Sequence, residues 1–271
     1  TLFRKIIDDS KISPTINKLE LSLDKIEKQG FDHYMFKEIY EQPKAIQDTL
    51  RGRLNISKGI IKLSGIDDYI NKFLSTKKIT IIACGTSWHS ALVAEYMFEK
   101  IARIPVEVEY ASEFRYRDPV VERSDIIIAI SQSGETADTL AAIKLAKSKG
   151  AFVYGICNVV GSSIARESDT GTYTHAGPEI GVASTKAFTT QMTVLYLMAV
   201  KLSKSKGIIS EKEFRKYIVE ISNIGKKVHK ALSANNKIKK IAKKFKSAKN
   251  CLYLGRGYNF PIALEGALKL K

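Results

Sequence analysis

The sequence is poor in the residues that build metal centres and disulfide frameworks. It has only 3 cysteines and 4 histidines in 271 residues. Cys84, Cys157 and Cys251 lie far apart, so no CxxC spacing exists, and the histidines form no HExxH pattern. We therefore expect no metal and no other cofactor. We expect the cysteines to be small buried residues that stay reduced.

Long hydrophobic runs are also lacking. No apolar run approaches the roughly 18–20 residues that span a bilayer. The longest candidate, residues 194–200, is followed by Lys201. The first ten residues do not have the form of a secretion signal. These absences predict a cytoplasmic protein without a membrane partner, and the 44% hydrophobic content is ample for a packed core.

Acidic residues are scarce relative to basic ones, and the formal net charge is +16. Such an excess is compatible with nucleic-acid binding. However, much of it lies in residues 225–250, where lysine recurs through an ordinary amphipathic helix pattern without interleaved aromatic residues. No helix-turn-helix or RNA-binding pattern is present. We predict a solvated helix face and no nucleic-acid partner.

Apolar runs and amphipathic helix patterns alternate from residue 79 onwards, after a mainly helical segment. That segment is predicted to hold a helix over 13–30 and a helix on either side of Pro43. Runs that are nearly all apolar, each followed by a helix, predict a parallel sheet covered on both faces. A long, mostly buried helix is predicted over 185–207, polar helices over 210–248, and a further strand over 251–257. The predicted sheet strands are 79–83, 106–110, 125–130, 151–157 and 171–175.

Two loops rich in hydroxyl groups follow predicted strands of this sheet. "CGTS" follows the strand at 79–83, and "SQSGET" follows the strand at 125–130. Ligands of such sheets lie beyond the carboxyl ends of the strands, where helix N-termini favour anions. Neither loop contains lysine or arginine or matches a P-loop, so a nucleoside triphosphate is excluded. A phosphate monoester fits better, although serine and threonine are also ordinary helix caps.

Five motifs in order resemble one enzyme family. "CGTS", "SQSGETADTL", "GVASTKAFTTQ" and "LGRG…ALEGALKLK" resemble the sugar isomerase (SIS) domains of the glutamine–fructose-6-phosphate aminotransferases, also called glucosamine-6-phosphate synthases. "HYMFKEIYEQP" resembles the linker that follows the glutaminase domain of that family. The resemblance covers about residues 13–271. It implies that fructose 6-phosphate and glutamine are converted to glucosamine 6-phosphate and glutamate, by a homodimer that needs no cofactor.

The resemblance also implies the fold class and the domain boundaries. We expect an α/β fold, a three-layer αβα sandwich with a five-stranded parallel sheet. Residues 1–75 are then a helical linker after an absent glutaminase domain. Residues 76–208 form the first SIS domain, and 209–248 form a helical connector. Residues 249–271 begin a second SIS domain that is truncated.

The roles of individual residues follow from the same resemblance. Val182 and Ser184 are expected to line the sugar, although "GVAST" is also a plausible N-cap for the long helix. Lys269 is expected to form a Schiff base with the opened ketose, and Glu265 to pair with it at i−4. From the residues alone, Lys269 would be a surface helix residue. The phosphate is expected to contact Thr86, Ser87, Ser131, Gln132, Ser133 and Thr136.

The family pattern places two catalytic groups outside this sequence. The nucleophilic cysteine of the glutaminase would precede Thr1, and the glutamate that moves hydrogen between C1 and C2 would follow Lys271. We therefore expect this chain to bind the sugar phosphate without turning it over. A non-catalytic sugar-phosphate sensor is the alternative function.

Overall fold

A five-stranded parallel sheet forms the centre of the molecule, in which the strands Val106–Tyr110, Ile79–Ala83, Ile126–Ser131, Phe152–Cys157 and Thr170–Tyr173 lie side by side in that order. The computed structural model describes residues 27–271, so most of the helix predicted over 13–30 lies outside the described residues. The strands confirm the five predicted from the apolar runs, within two residues at each end. They are β3 (Ile79–Ala83), β4 (Val106–Tyr110), β5 (Ile126–Ser131), β6 (Phe152–Cys157) and β7 (Thr170–Tyr173).

Helices cover this sheet, and two further strands lie outside the sheet. β1 (Leu54–Asn55) and β2 (Ile60–Ile61) form a small antiparallel pair within the predicted linker, which the sequence did not indicate. A π-helical turn over Phe98–Ala102 extends the helix Thr86–Met97. The helices are α1 (Tyr34–Leu50), α2 (Ser64–Asp67), α3 (Ile70–Ser75), α4 (Thr86–Met97), α5 (Ala111–Tyr116), α6 (Ala137–Ser148), α7 (Ser163–Glu167), α8 (Lys186–Ser205), α9 (Glu211–Ser222), α10 (Ile224–Leu232), α11 (Asn235–Phe245) and α12 (Asn259–Leu270).

Each face of the sheet has its own apolar core. On one face, Ile81 and Ile128 pack in the same cluster as Leu197 of α8. On the other face, Ile82 packs with Ile143 of α6. Successive side chains of a strand point to opposite faces, so a strand buried on both faces must be apolar throughout. This requirement explains the apolar runs of the sequence, and the two cores confirm the predicted three-layer αβα sandwich.

Helix α1 runs through its proline without a break. The prediction of separate helices on either side of Pro43 is therefore wrong. Proline has no backbone N–H, so it cannot donate to the carbonyl of Ile39, four residues earlier. The side-chain amide of Gln42 donates to that carbonyl at 2.9 Å instead. A side chain thus replaces the missing backbone donor.

The polar stretch after α8 is helical, as predicted, and consists of α9, α10 and α11. Helix α9 begins at a capping box formed by Ser210 and Glu213. Helix α11 has no buried residue. Its apolar side chains Ile238, Ile241 and Phe245 are exposed together with its lysines.

The strand predicted over 251–257 does not form. Within residues 27–271 no other strand lies beside this segment, and a strand needs a neighbour to satisfy its backbone hydrogen bonds. Leu252 and Leu254 are exposed, and Cys251 is exposed as well, against the expectation that the cysteines are buried. Helix α12 follows and packs against α4.

Candidate functional site

The two hydroxyl-rich loops leave adjacent strands at the same edge of the sheet. β3 and β5 are parallel neighbours, with Ile82 opposite Ala129. β4 lies on one side of β3, and β5, the next strand along the chain, lies on the other side of β3. The strand order therefore reverses between β3 and β5. Ligands of open α/β sheets bind at such a reversal.

The loop after β3 presents hydroxyl groups and free amides at the start of α4. Gly85 precedes the helix with φ +56°, and α4 has no side-chain cap. The Ser87 hydroxyl accepts from Gln191 Nε2 at 2.9 Å, and Ser90 donates to Gln191 Oε1 at 2.9 Å. No described residue accepts the hydroxyl proton of Ser87. Gln191 therefore orients Ser87 and leaves it free to donate to a ligand.

The loop after β5 is closed by its own hydroxyl groups. Ser131 Oγ lies 2.9 Å from Thr136 Oγ1 and accepts the N–H of Gly134 at 3.0 Å. Ser133 is exposed and accepts an amide, and its hydroxyl proton has no acceptor in the described part of the chain. Gln132 is half-buried. These bonds hold the loop in one conformation before any ligand is bound.

Helix α6, which follows this loop, begins without a side-chain cap. Its first three amides, those of residues 137–139, have no acceptor among the described residues. The one carboxylate of the loop, Glu135, accepts the N–H of Ser163 at 2.8 Å. Hydrogen bonds from Ser163 hold the pKa of Glu135 below its usual value. The start of α6 is thus available to an external anion.

The floor of this loop is closely packed. Gly134 has φ +68°, and a Cβ atom there would lie 2.0 Å from Ser162 Oγ. Only glycine accepts both the conformation and the contact. Cys157 lies beneath the same position, and burial raises the pKa of its thiol to about 11.

The "GVAST" segment lies between β7 and α8. Val182 is fully exposed. Ser184 donates its hydroxyl proton to Glu179 Oε2 at 2.6 Å, and Glu179 Oε1 accepts the N–H of Thr185 at 2.8 Å. Glu179 therefore caps α8, and Thr185 itself supplies no side-chain cap. Ser184 retains only its oxygen as an acceptor for a sugar hydroxyl.

Helix α12 brings a charged cluster to the start of α4. Lys269 Nζ lies 2.9 Å from Thr86 Oγ1 and 2.7 Å from Glu265 Oε1. Thr86 donates to Glu265 Oε1 at 3.0 Å, and His89 Nδ1 lies 2.6 Å from Glu265 Oε2. An ionised carboxylate only accepts, so Nδ1 carries the proton. Burial raises the pKa of Glu265, but the hydrogen bonds from His89, Lys269 and Thr86 outweigh it and hold the pKa below its usual value.

This cluster bears on two of the predicted roles. Lys269 forms an ion pair with the buried carboxylate of Glu265, and this pair must open before the amine can attack a carbonyl carbon. The hydroxyl proton of Thr86 is directed to Glu265, so Thr86 must exchange that partner to donate to a phosphate. Both roles stay predictions.

The structure groups the predicted site residues in three places. Thr86 and Lys269 are in contact, Ser131 and Thr136 are in contact, and Val182 and Ser184 share the segment before α8. Three further residues, which were not predicted from the sequence, contact residues of these groups or of the two loops: His89, Glu179 and Gln191. A glutamine within the long apolar helix α8 was the one visible signal.

Residues 27–271 contain neither a candidate metal centre nor a candidate membrane span. No group of three or more histidine, cysteine, aspartate or glutamate side chains is placed there to hold a metal ion. No helix of that part of the chain is both long and apolar enough to cross a bilayer.

Comparison with known proteins gives consistent matches. The SIS domain family matches residues 72–201. A glutamine–fructose-6-phosphate aminotransferase of Chlorobaculum tepidum is 57% identical over 98% of this chain and 43% of its own length. One from Bacteroides thetaiotaomicron is 54% identical over 98% of this chain and 44% of its own length.

A solved structure gives the same match at the level of the fold. The C-terminal domain of glucosamine-fructose-6-phosphate aminotransferase from Francisella tularensis is 46% identical, with a TM-score of 0.85. The match covers 90% of this chain and 68% of that one. The chain spans about two-fifths of the length of the curated relatives that it matches.

Proposed function

Because this chain belongs to the family of glutamine–fructose-6-phosphate aminotransferases and includes their SIS domain, we propose that it binds the phosphate of fructose 6-phosphate between the loops after β3 and β5. It is then part of the isomerase half of an enzyme that converts fructose 6-phosphate and glutamine to glucosamine 6-phosphate and glutamate. That reaction is proposed for the whole protein, since the chain corresponds to less than half of its relatives.

One observation carries the proposal. Helices α4 and α6 follow the adjacent strands β3 and β5, and both begin at the strand-order reversal without a side-chain cap. The serine and threonine side chains of the two loops therefore do not cap these helices. Each hydrogen bond to a charged acceptor contributes about 1.5–3 kcal/mol. Several free amides and hydroxyl groups thus hold a phosphate monoester without a formal counter-charge in the loops.

Lys269 and Glu265 complete the proposed site. Lys269 supplies a positive charge beside Thr86, which the two loops themselves lack. We retain Lys269 as the expected catalytic residue. For the Schiff base expected from the resemblance, the ion pair with Glu265 would first have to open.

Three further features belong to the proposal. The family resemblance supports a homodimer and a cytoplasmic location, and the lysines of α11 support a solvated surface rather than a nucleic-acid site. No observation on the described residues favours the sensor alternative.

The proposal is tested by titrating fructose 6-phosphate into the unmodified chain and into Ser133→Ala and Thr136→Ala. Each substitution is expected to weaken binding about tenfold, the effect of losing one hydrogen bond to a charged acceptor. Ser148→Ala is the control, because its hydroxyl donates to the Leu145 carbonyl within α6 and to no other described residue. Equal affinity in all four proteins would contradict the site.

A further inference from the structure

Helix α1 lies along the segment that joins β7 to α8. Thr49 donates its hydroxyl proton to the carbonyl of Thr174 at 2.6 Å. Glu41 forms an ion pair with Lys186 at 2.6 Å. Glu38 accepts backbone N–H groups from the same segment. These three side chains share one face of the helix, so a single rigid element contacts the start, the middle and the end of the segment.

Glu38 makes the most constrained of these contacts. Its side chain is 2% exposed, and Oε1 accepts the N–H of Ile180 at 2.6 Å and of Gly181 at 3.1 Å. A buried carboxylate is costly unless hydrogen bonds compensate it. Withdrawal of the loop would leave this carboxylate without these two donors. Residues 180 and 181 are therefore held strongly in one position.

Close packing also fixes the distance between α1 and the loop. A Cβ atom on Gly181 would lie 2.5 Å from Glu38 Oε2 and 3.2 Å from the backbone nitrogen of Met35. Any side chain at this position would have to push the loop away from the helix. The absence of a side chain at Gly181 and the carboxylate of Glu38 thus form one complementary contact.

The residues that follow Gly181 are those expected to line the sugar. Val182 directly follows Gly181 and is fully exposed, and Ser184, two residues further along, is half-buried. We propose that Glu38 is a positioning residue for the sugar: it holds the backbone of residues 180 and 181 so that Val182 and Ser184 face the bound ketose. This inference rests on the proposed function.

The same geometry predicts which part of the ligand is affected. The phosphate is proposed to lie between the loops after β3 and β5, and the contacts described for those loops do not include Glu38. Displacing residues 180–184 should therefore weaken binding of the sugar and leave binding of inorganic phosphate unchanged. A general loss of folding would reduce both affinities together.

The test uses Glu38→Gln in the full chain, with fructose 6-phosphate and inorganic phosphate as separate ligands. Glutamine keeps the size of the side chain but removes its charge and one acceptor oxygen. We expect about three- to tenfold weaker binding of fructose 6-phosphate, with unchanged binding of inorganic phosphate. Hydrogen exchange of the amides of Ile180 and Gly181 should become faster, and that of Leu195 in α8 should not change.

Two further variants keep the test decisive. Gly181→Ala moves the same backbone and leaves Glu38 intact, so it should reproduce the sugar-selective loss if Glu38→Gln fails to fold. Asp48→Asn removes a carboxylate of α1 whose ion pairs within residues 27–271 are with Lys44 and Arg51, and it should bind like the unmodified chain.

The outcomes separate this inference from the proposed function. Unchanged fructose 6-phosphate affinity in Glu38→Gln, or an equal loss for both ligands, overturns the positioning role. If the unmodified chain binds inorganic phosphate but no fructose 6-phosphate, the proposed substrate is wrong and the inference falls with it.

Discussion

The ammonium of Lys269 lies 2.9 Å from the hydroxyl of Thr86, although 183 residues separate them in the chain. The contact joins the last helix of the chain to the first residue of α4. Glu265 bridges the two and also binds His89. Four side chains from two distant parts of the sequence therefore form one polar cluster around the buried carboxylate of Glu265.

Glu265→Gln should loosen the docking of α12 on α4. The substitution removes the charge that His89 and Lys269 share, and we expect a loss of about 1–3 kcal/mol in the free energy of unfolding. Trp88 is the chain's one tryptophan, and its ring centroid lies 5.5 Å from that of His89. Its fluorescence emission should change in the folded variant.

Glu220→Gln is the matched control for this experiment. Glu220 also pairs with a lysine, Lys227, but both side chains are more than half exposed. Exposed ion pairs contribute little. A Trp88 emission change of equal size in the two variants would contradict the docking role of Glu265.

The same carboxylate predicts a pH dependence. Its pKa is below the usual value of 4.5, so its stabilising contribution is present above pH 4.5 and is lost as the pH falls through the lower value of the folded state. The stability advantage of the unmodified chain over Glu265→Gln should therefore shrink as the pH falls below about 4.5. Urea unfolding of both proteins across this range measures it. A constant difference would show that Glu265 does not titrate as described.

Gly134→Ala should be more destabilising than Gly207→Ala. Both glycines have nearly the same φ, +68° and +69°, and each substitution costs about 1–2 kcal/mol for the left-handed backbone. Only at Gly134 does the new Cβ meet another group, the hydroxyl of Ser162, whereas nothing lies within 4 Å at Gly207. The excess loss should be at least about 1 kcal/mol.

Ser162→Gly provides the internal check for that prediction. Added to Gly134→Ala, it removes the contacted side chain and should recover the excess loss in thermal or urea unfolding. If the two glycine variants are equally stable, the loop is not packed on Ser162 as described.

The sheet and its loops could be predicted from the sequence because their signals are local. A strand buried on both faces must be apolar at every position, and a turn at its end must be polar. The partners of Ser87 and Thr86 could not be predicted in this way, since Gln191 and Glu265 reach them only through the packing of α8 and α12. The sequence also did not predict that α1 is continuous. The expectation that proline ends a helix considers backbone donors alone, whereas here the side-chain amide of Gln42 donates the hydrogen bond that Pro43 cannot make.

The buried thiol of Cys157 has a consequence for how the protein withstands oxidants. Peroxides and alkylating reagents attack the thiolate form of cysteine. A thiol with a pKa of about 11 is almost entirely protonated at neutral pH, so almost no thiolate is present. The floor of the β5 loop is therefore chemically inert. Cys84, in the loop after β3, is half-buried, and Cys251 is exposed, so of the three thiols Cys251 is the most accessible to such reagents.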